Sequence, residues 1–407
     1  MKRRLKRIIS GYSIVEVLLA VMLLFLATSY LLGLFAAGRH YILRSREYSA
    51  ALMLARSKME QLQAVPAESM SGFSTGMFKK PFNKYSWKVS VEEYDSGLSA
   101  LNLEVKAPSK VIATLRTLRK VSVFRGVSCD AYTNQAVYMD SKGSILRMYA
   151  DNKAKSLKSF SSSWRVGSVT GAPGRGFVWA ANAQEPKILY MQFSADGLVQ
   201  STRTYSVPES QYAQKPVFAD IASDYWGNRL YCADIINKAI RIAEHSASGV
   251  KWKTASPVKE PLGKPVGLGT DEFGSALWIA DGEKDCLRLL HIAPQEPVPQ
   301  GAEKAQGIGW WDKSVSIPYN VRGLSGLAVN KQGSAVYAVD SACLYIMSSF
   351  AADKVSWSKA DLPKKLCDSS PSGMACDAFR NVVYINTVSG GLWHYDIDSR
   401  QFLKLSD

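Results

Sequence analysis

Histidine is scarce in this chain. Four occur in 407 residues: His40, His245, His291 and His394. None stands at the spacing of a zinc-ligand motif or in a recognisable nucleophile-base arrangement. No cofactor is expected, and the residue types favour a binding or structural role over an enzyme. Basic blocks are also scarce. The net charge is +15, and Lys2, Arg3, Arg4, Lys6 and Arg7 carry a third of it. No basic run follows them, which argues against a nucleic-acid stripe. Charge is absent altogether from Val17 to Ala37, and so is proline. What the chain does contain is core-forming material: 47% hydrophobic and 11% aromatic residues exclude a disordered chain. Its length predicts two or three folded units.

The uncharged run is 21 residues long. At about 1.5 Å per residue it spans the roughly 30 Å hydrocarbon core of a bilayer. The basic flank places the N-terminus in the cytoplasm and the rest outside. A cleaved secretory signal fits poorly, because the run is long and no small-x-small site follows. A plain signal anchor leaves Glu16 unexplained, since a carboxylate in an apolar stretch is costly and points to function.

The residues Gly11-Tyr12-Ser13-Ile14-Val15-Glu16-Val17-Leu18-Leu19-Ala20 resemble the type IV prepilin processing motif. That resemblance implies cleavage after Gly11 by a prepilin peptidase and N-methylation of Tyr12. Tyr12 stands where the family usually has Phe, and Val15 where Ile is commoner. Gly33 interrupts the apolar segment, in place of the helix-breaking proline of many major pilins. In such a subunit the Glu16 carboxylate pairs with the Tyr12 ammonium of a neighbour, compensating charges buried in an apolar filament core.

Helical spacing continues through Leu43, Ala50, Leu54 and Leu62 until Pro66, so one helix is expected over 12–65, with the membrane span at about 14–37. The part from Ala51 to Leu62 is similar to the amphipathic half of type II secretion pseudopilins. Residues 67–78 read as a Gly/Ser/Met-rich loop. Strand periodicity then marks Tyr85–Val91, Ala100–Lys106 and Val111–Leu118, with Asp95-Ser96-Gly97 as a turn. Residues 66–125 therefore form a small antiparallel head, after a leader at 1–11.

From residue 126 the sequence repeats. An aromatic recurs at Tyr138, Trp179, Tyr231, Trp278, Tyr337 and Tyr384, at intervals of 41 to 59 residues. Each unit reads strand, Asp/Asn-Gly turn, strand, Asp, third strand. The period suits a four-stranded propeller blade. The pattern resembles six-bladed NHL and gluconolactonase-like propellers and covers 126–407. The whole is then an α+β pilin-like part followed by an all-β six-bladed propeller. The recurring Asp140, Asp234, Asp281 and Asp340 are expected to hold turns. Trp310 and Trp311, in an insertion between blades, are candidates for exposed contact with a glycan or protein ligand. All six cysteines lie in the propeller. Cys367 and Cys376 are close enough in sequence to bridge, while Cys129, Cys232 and also Cys376 read as in-strand apolar positions that suit buried free thiols.

Taken with the resemblance, the expectation is a minor type IV pilin or pseudopilin in the bacterial inner membrane. It passes the membrane once, with a cytoplasmic N-terminus and periplasmic C-terminal domains before filament assembly. Its partners are the prepilin peptidase, other pilin or pseudopilin subunits, the inner membrane, and a secreted protein or surface ligand held by the propeller. The alternative is a membrane-tethered propeller hydrolase or lactonase.

Overall fold

The computed structural model describes residues 14–64, 73–95, 98–108, 112–120, 126–130, 135–140, 143–160, 164, 166–183, 185–293, 296–300, 302–312, 314–349, 355–377 and 379–406. Gly11 and Tyr12 lie outside this set. The chain divides into two compact units. One holds Met1–Ala64, Gly72–Glu92 and Ala100–Thr117; the other holds Leu118–Asp407 with Val65–Ser71 and Glu93–Ser99.

The first unit is built on helix α1, Ile14–Ala64, 51 residues without a break and about 77 Å long. Leu, Ala and Met dominate it, which are strong helix formers. Thr28 is accommodated by donating its hydroxyl to the Leu24 carbonyl, at 2.8 Å. Leu18, Met22, Phe25, Leu32 and Phe35 point outward from the N-terminal half. α1 is long and apolar enough to cross a membrane. In its C-terminal half, Ala51, Ala55 and Met59 form a buried stripe at i, i+4, i+8. Beside it lies a four-stranded antiparallel sheet of β1 (Phe73–Met77), β2 (Ser86–Asp95), β3 (Leu98–Lys106) and β4 (Ile112–Lys120), in sequential order. Leu101, Leu103 and Val105 alternate into its core. Lys58 lies 4.4 Å from the Trp87 ring.

β1 corrects the reading of residues 67–78 as loop throughout. Phe73-Ser74-Thr75-Gly76-Met77 carries no alternating pattern, yet it pairs with β2 from Phe73↔Ser90 to Met77↔Ser86. The reason is the Trp87 ring, which covers the backbone opposite; a Cβ at Gly76 would lie 2.6 Å from it. A bare glycine makes this edge strand possible.

The second unit is a ring of six antiparallel sheets: five are four-stranded meanders, and the fourth is a six-stranded sheet in which the strands after the third pair back onto it out of sequence order. The blades run 127–159, 166–206, 218–255, 265–316, 326–361 and 371–406. First strands of successive blades touch in cyclic order, the last against the first. No strand is exchanged to close the ring. Closure rests on a buried cluster joining Val127, Cys129 and Tyr138 of blade 1 to Val382, Tyr384 and Leu392 of blade 6. Asn386 adds hydrogen bonds to the carbonyls of Gly126, at 3.2 Å, and Met139, at 3.3 Å.

The recurring aromatic sits on the second strand of every blade and is buried. There it joins neighbours: Trp179 donates its indole N–H to Gly227, at 3.3 Å, and Tyr231 its hydroxyl to Gly274, at 2.8 Å, each carbonyl lying in the next blade's first turn. The recurring Asp holds the turn after the same strand. Asp140 accepts the amides of Ser144 (2.7 Å) and Ile145 (2.8 Å). Asp340 accepts those of Ala342 and Cys343, both at 2.7 Å, and the Tyr345 hydroxyl, also at 2.7 Å. Asp234 accepts turn amides and pairs with the buried Arg241 at 3.0 Å.

Candidate functional site

The channel mouth is assembled from the turns that join first to second strands. In blades 3, 4 and 5 these turns begin with Asp224, Asp271 and Asn330, each accepting the amide four residues on, at 2.9, 2.7 and 2.9 Å. Gly227, Gly274 and Gly333 complete them at φ of +71°, +65° and +72°, a region closed to most side chains. The geometry presents the second residue of each turn, Tyr225, Glu272 and Lys331, to the channel. Their backbones are laced together: the Tyr225 amide donates to Glu272 and the Glu272 amide to Lys331, both at 3.0 Å.

Blade 2 departs from this turn pattern. Its first turn is a short 3-10 segment, Pro173–Arg175, ending at Gly176 with φ +82°. This brings the Arg175 guanidinium 4.7 Å from the Tyr225 ring, on the side of the carboxylate of Asp130, 3.3 Å away. Arg175 also donates to the Cys129 carbonyl at 3.1 Å. Lys331 lies 3.9 Å from Glu272. The rim is thus a balanced set of charges around one aromatic ring.

Inside the rim is a cavity of about 120 Å³. Its walls carry hydroxyls, with Thr170 and Ser223 at 3.1 Å from each other, and the thiols of Cys129 and Cys376. Burial pushes the Cys376 thiol up to about 12 and raises that of Cys129 well above its ordinary value. Both stay protonated at neutral pH, and a thiol is a weak nucleophile. Nearer the axis, Asp220 is fully buried. It accepts the Ser168 hydroxyl at 2.6 Å and the amides of Ile221 and Leu268 at 2.9 and 2.8 Å. Burial raises its carboxyl to about 7.

His245, His291 and His394 do not line this cavity. His245 contacts the Tyr205 hydroxyl at 3.3 Å, and His291 bonds Asp312 at 2.9 Å. Among the described residues, no group of three or more His, Cys, Asp or Glu is placed to hold a metal ion. The arrangement offers recognition by shape, hydroxyls and a charged rim.

Two sequence expectations are corrected. Trp310 and Trp311 are not exposed contact residues in a linker: they form a strand of the blade 4 sheet, pairing with His291 and Leu290. Trp311 fills the core between blades 3 and 4, and Trp310 stacks on His291 at 4.8 Å. The tandem aromatic is apolar payload for an edge strand inserted into the blade. Cys367 and Cys376 do not bridge; both are free thiols. Cys367 sits on a short helix, Lys364–Asp368, while Cys376 lies in the first strand of blade 6 beside the channel. Arg175, Tyr225, Glu272 and Lys331 were not singled out from the sequence. For Tyr225, Glu272 and Lys331 the signal available was the position immediately after the Asp or Asn of the first turn; for Arg175 there was none.

No protein-family model and no curated protein matches the chain. Solved structures do resemble it in fold. A functionally unknown protein from Desulfotomaculum acetoxidans is 13% identical with a TM-score of 0.47, over 75% of this chain and 92% of that one. The β-propeller domain of Cps50 (Swd1) from Myceliophteria thermophila is 13% identical with a TM-score of 0.46, over 79% and 95%. A streptogramin B lyase is 12% identical with a TM-score of 0.43, over 81% and 96%. At such identities the likeness concerns the propeller fold and nothing of substrate or activity.

Proposed function

We propose that this chain is a minor pilin- or pseudopilin-like subunit, anchored in the bacterial inner membrane, that carries a propeller as its binding domain. The observation that supports this most is α1. A single helix combines an outward-facing apolar half, an acidic residue in its first turn, Glu16, and a second half packed through Ala51, Ala55 and Met59. A signal anchor has no use for Glu16 or for the additional 27 residues beyond Ala37 in the same helix. A filament subunit uses both. The apolar half holds the subunit in the bilayer and afterwards in a filament core. Glu16 compensates the new ammonium that cleavage after Gly11 creates on Tyr12 of a neighbour. The five basic residues before the helix support a cytoplasmic N-terminus.

The propeller is the larger part, and on every subunit it would crowd a dense helical filament. A minor or tip position accommodates it. The neutral thiols and balanced rim charges of the mouth support binding of a partner over hydrolysis. The test is mass spectrometry of the mature N-terminus. An N-methylated Tyr12 is expected; an intact Met1, or a cut near Gly38, refutes the proposal.

A further inference from the structure

Three large aromatic side chains break the rule that the propeller buries its aromatics on the second strand of each blade. Trp226 is 67% exposed, Phe273 72% and Phe379 81%. All three occupy one structural position. Each lies two residues after the Asp that opens the first turn of its blade: Asp224 in blade 3, Asp271 in blade 4 and Asp377 in blade 6. In a meander of antiparallel strands these turns lie at one end of the channel. The three rings therefore stand around the mouth that holds Tyr225, Glu272 and Lys331. We infer that this turn face is a docking site for a protein, which lays a neutral, apolar segment across the rings and sets one side chain into the mouth.

Area argues for a macromolecular partner. An aromatic side chain offers roughly 150–250 Å² when fully exposed, so the three rings leave roughly 450 Å² of apolar surface bare. That is more than half of the roughly 800 Å² that each partner buries in a stable interface. The cavity inside the mouth holds only about 120 Å³. Pockets for drug-sized molecules run to roughly 300–1,000 Å³, so the mouth takes a side chain and not a whole small ligand.

The charges define the partner's chemistry. Arg175 is 3.3 Å from Asp130, and Lys331 is 3.9 Å from Glu272. The rim is already balanced, so a polyanion gains little there. A polysaccharide needs acceptors beside the rings for its hydroxyls. The carboxylates that open these turns, Asp224, Asp271 and Asp377, are committed to the amides of their own turns at 2.9, 2.7 and 3.1 Å, and Glu272 is paired with Lys331. An apolar polypeptide segment makes neither demand. The turns also hold the rings ready. Tyr225 backs Trp226 edge to face at 4.9 Å. Asp377 accepts the amides of Phe379 and Arg380, both at 3.1 Å. Such preorganisation removes part of the entropic cost of binding.

This inference rests on reading the propeller as a binding domain, and it is independent of how the N-terminus is processed. The test pans a phage-displayed random peptide library on the full chain in detergent micelles. Apolar-rich peptides should be enriched. Their synthetic versions should bind the Trp226→Ser and Phe273→Ser chains about 10-fold more weakly or worse. Leu403→Ser, on the outer strand of blade 6, should leave them unchanged. Because all these side chains are exposed, thermal unfolding should not move. Failure to enrich any peptide, or affinities indifferent to the aromatic substitutions, overturns the inference. So does binding on a glycan array that is lost in the Trp226 and Phe273 variants, which reassigns the face to sugar. Concentration-dependent self-association lost in the same variants reassigns it to a second copy. None of these results affects the mass of the mature N-terminus, which tests the pilin reading separately.

Discussion

Replacing Asp220 with Asn should stabilise the propeller at pH 8 and lose that effect at pH 5. The carboxylate is fully buried and accepts three donors: Ser168, Ile221 and Leu268. Burial dominates all the same, and raises its pKa from 3.8 to about 7. The folded chain therefore holds a proton between about pH 4 and 7 that the unfolded chain has released. Stability from this group is fully present below the unfolded value and is lost as pH rises through about 7. Each unit of difference corresponds to about 1.4 kcal/mol, so ionising Asp220 in the folded state costs up to about 4 kcal/mol. An asparagine side chain avoids that cost at every pH. It also has one fewer acceptor oxygen, so one donor goes unsatisfied, at about 1–3 kcal/mol. At pH 8 the balance favours the Asp220→Asn chain by about 1–3 kcal/mol; at pH 5, little more than one pH unit above the unfolded value, the avoided cost is only about 1.6 kcal/mol and the unsatisfied donor offsets it. For a unit of this size 1 kcal/mol moves the midpoint by roughly 2–4 °C. Thermal unfolding of the full chain in micelles, followed by tryptophan fluorescence, should show the variant melting a few degrees above the parent at pH 8 and close to it at pH 5. Equal destabilisation at both pH values would show that the three hydrogen bonds outweigh burial and would refute the reasoning.

Further outcomes follow from the same geometry. Asp234→Ala leaves the Arg241 guanidinium, 2% exposed, without its carboxylate; denaturant unfolding should show a loss of about 3–5 kcal/mol. Asp140→Ala removes only acceptors of amides and a hydroxyl and should cost about 1–3 kcal/mol in the same assay. Asn386→Leu abandons two carbonyls at the junction of blades 1 and 6, and hydrogen exchange should rise there before it rises in blades 3 and 4. Glu16→Ala should be cleaved normally after Gly11 yet fail to enter filaments; normal incorporation would show that the charge pair is dispensable.

Local periodicity made much of the fold legible. The apolar run and its helical continuation mark α1, because side chains at i and i+4 share a face whatever they later pack against. Period-two segments mark β2 to β4 for the same kind of reason. The recurring aromatic and the Asp that follows it mark the blades, since both recur at a fixed place on the second strand and the Asp works within a few residues of its own turn. The failures share a cause as well. Phe73–Met77 is a strand because Trp87, ten residues away or more, covers its glycine. Trp310 and Trp311 look like a surface pair until the third strand of blade 4 supplies their neighbours.

The mouth shows the division between sequence and tertiary structure most clearly. The sequence by itself determines that residues 126–407 form repeated sheet units, and where the first turns of blades 3, 4 and 5 begin, because an Asp or Asn and the amides it accepts are only four or five residues apart. Only the closed ring decides which residues meet. Arg175 reaches the ring of Tyr225, 50 positions later, and Val127 packs near Tyr384, because six blades return the last strand set to the first. Those contacts depend on the angle between successive blades, which is set by the packing of aromatics such as Trp179 and Tyr231 against the next blade. No window of local sequence contains that angle, so the site it creates becomes visible only once the ring is closed.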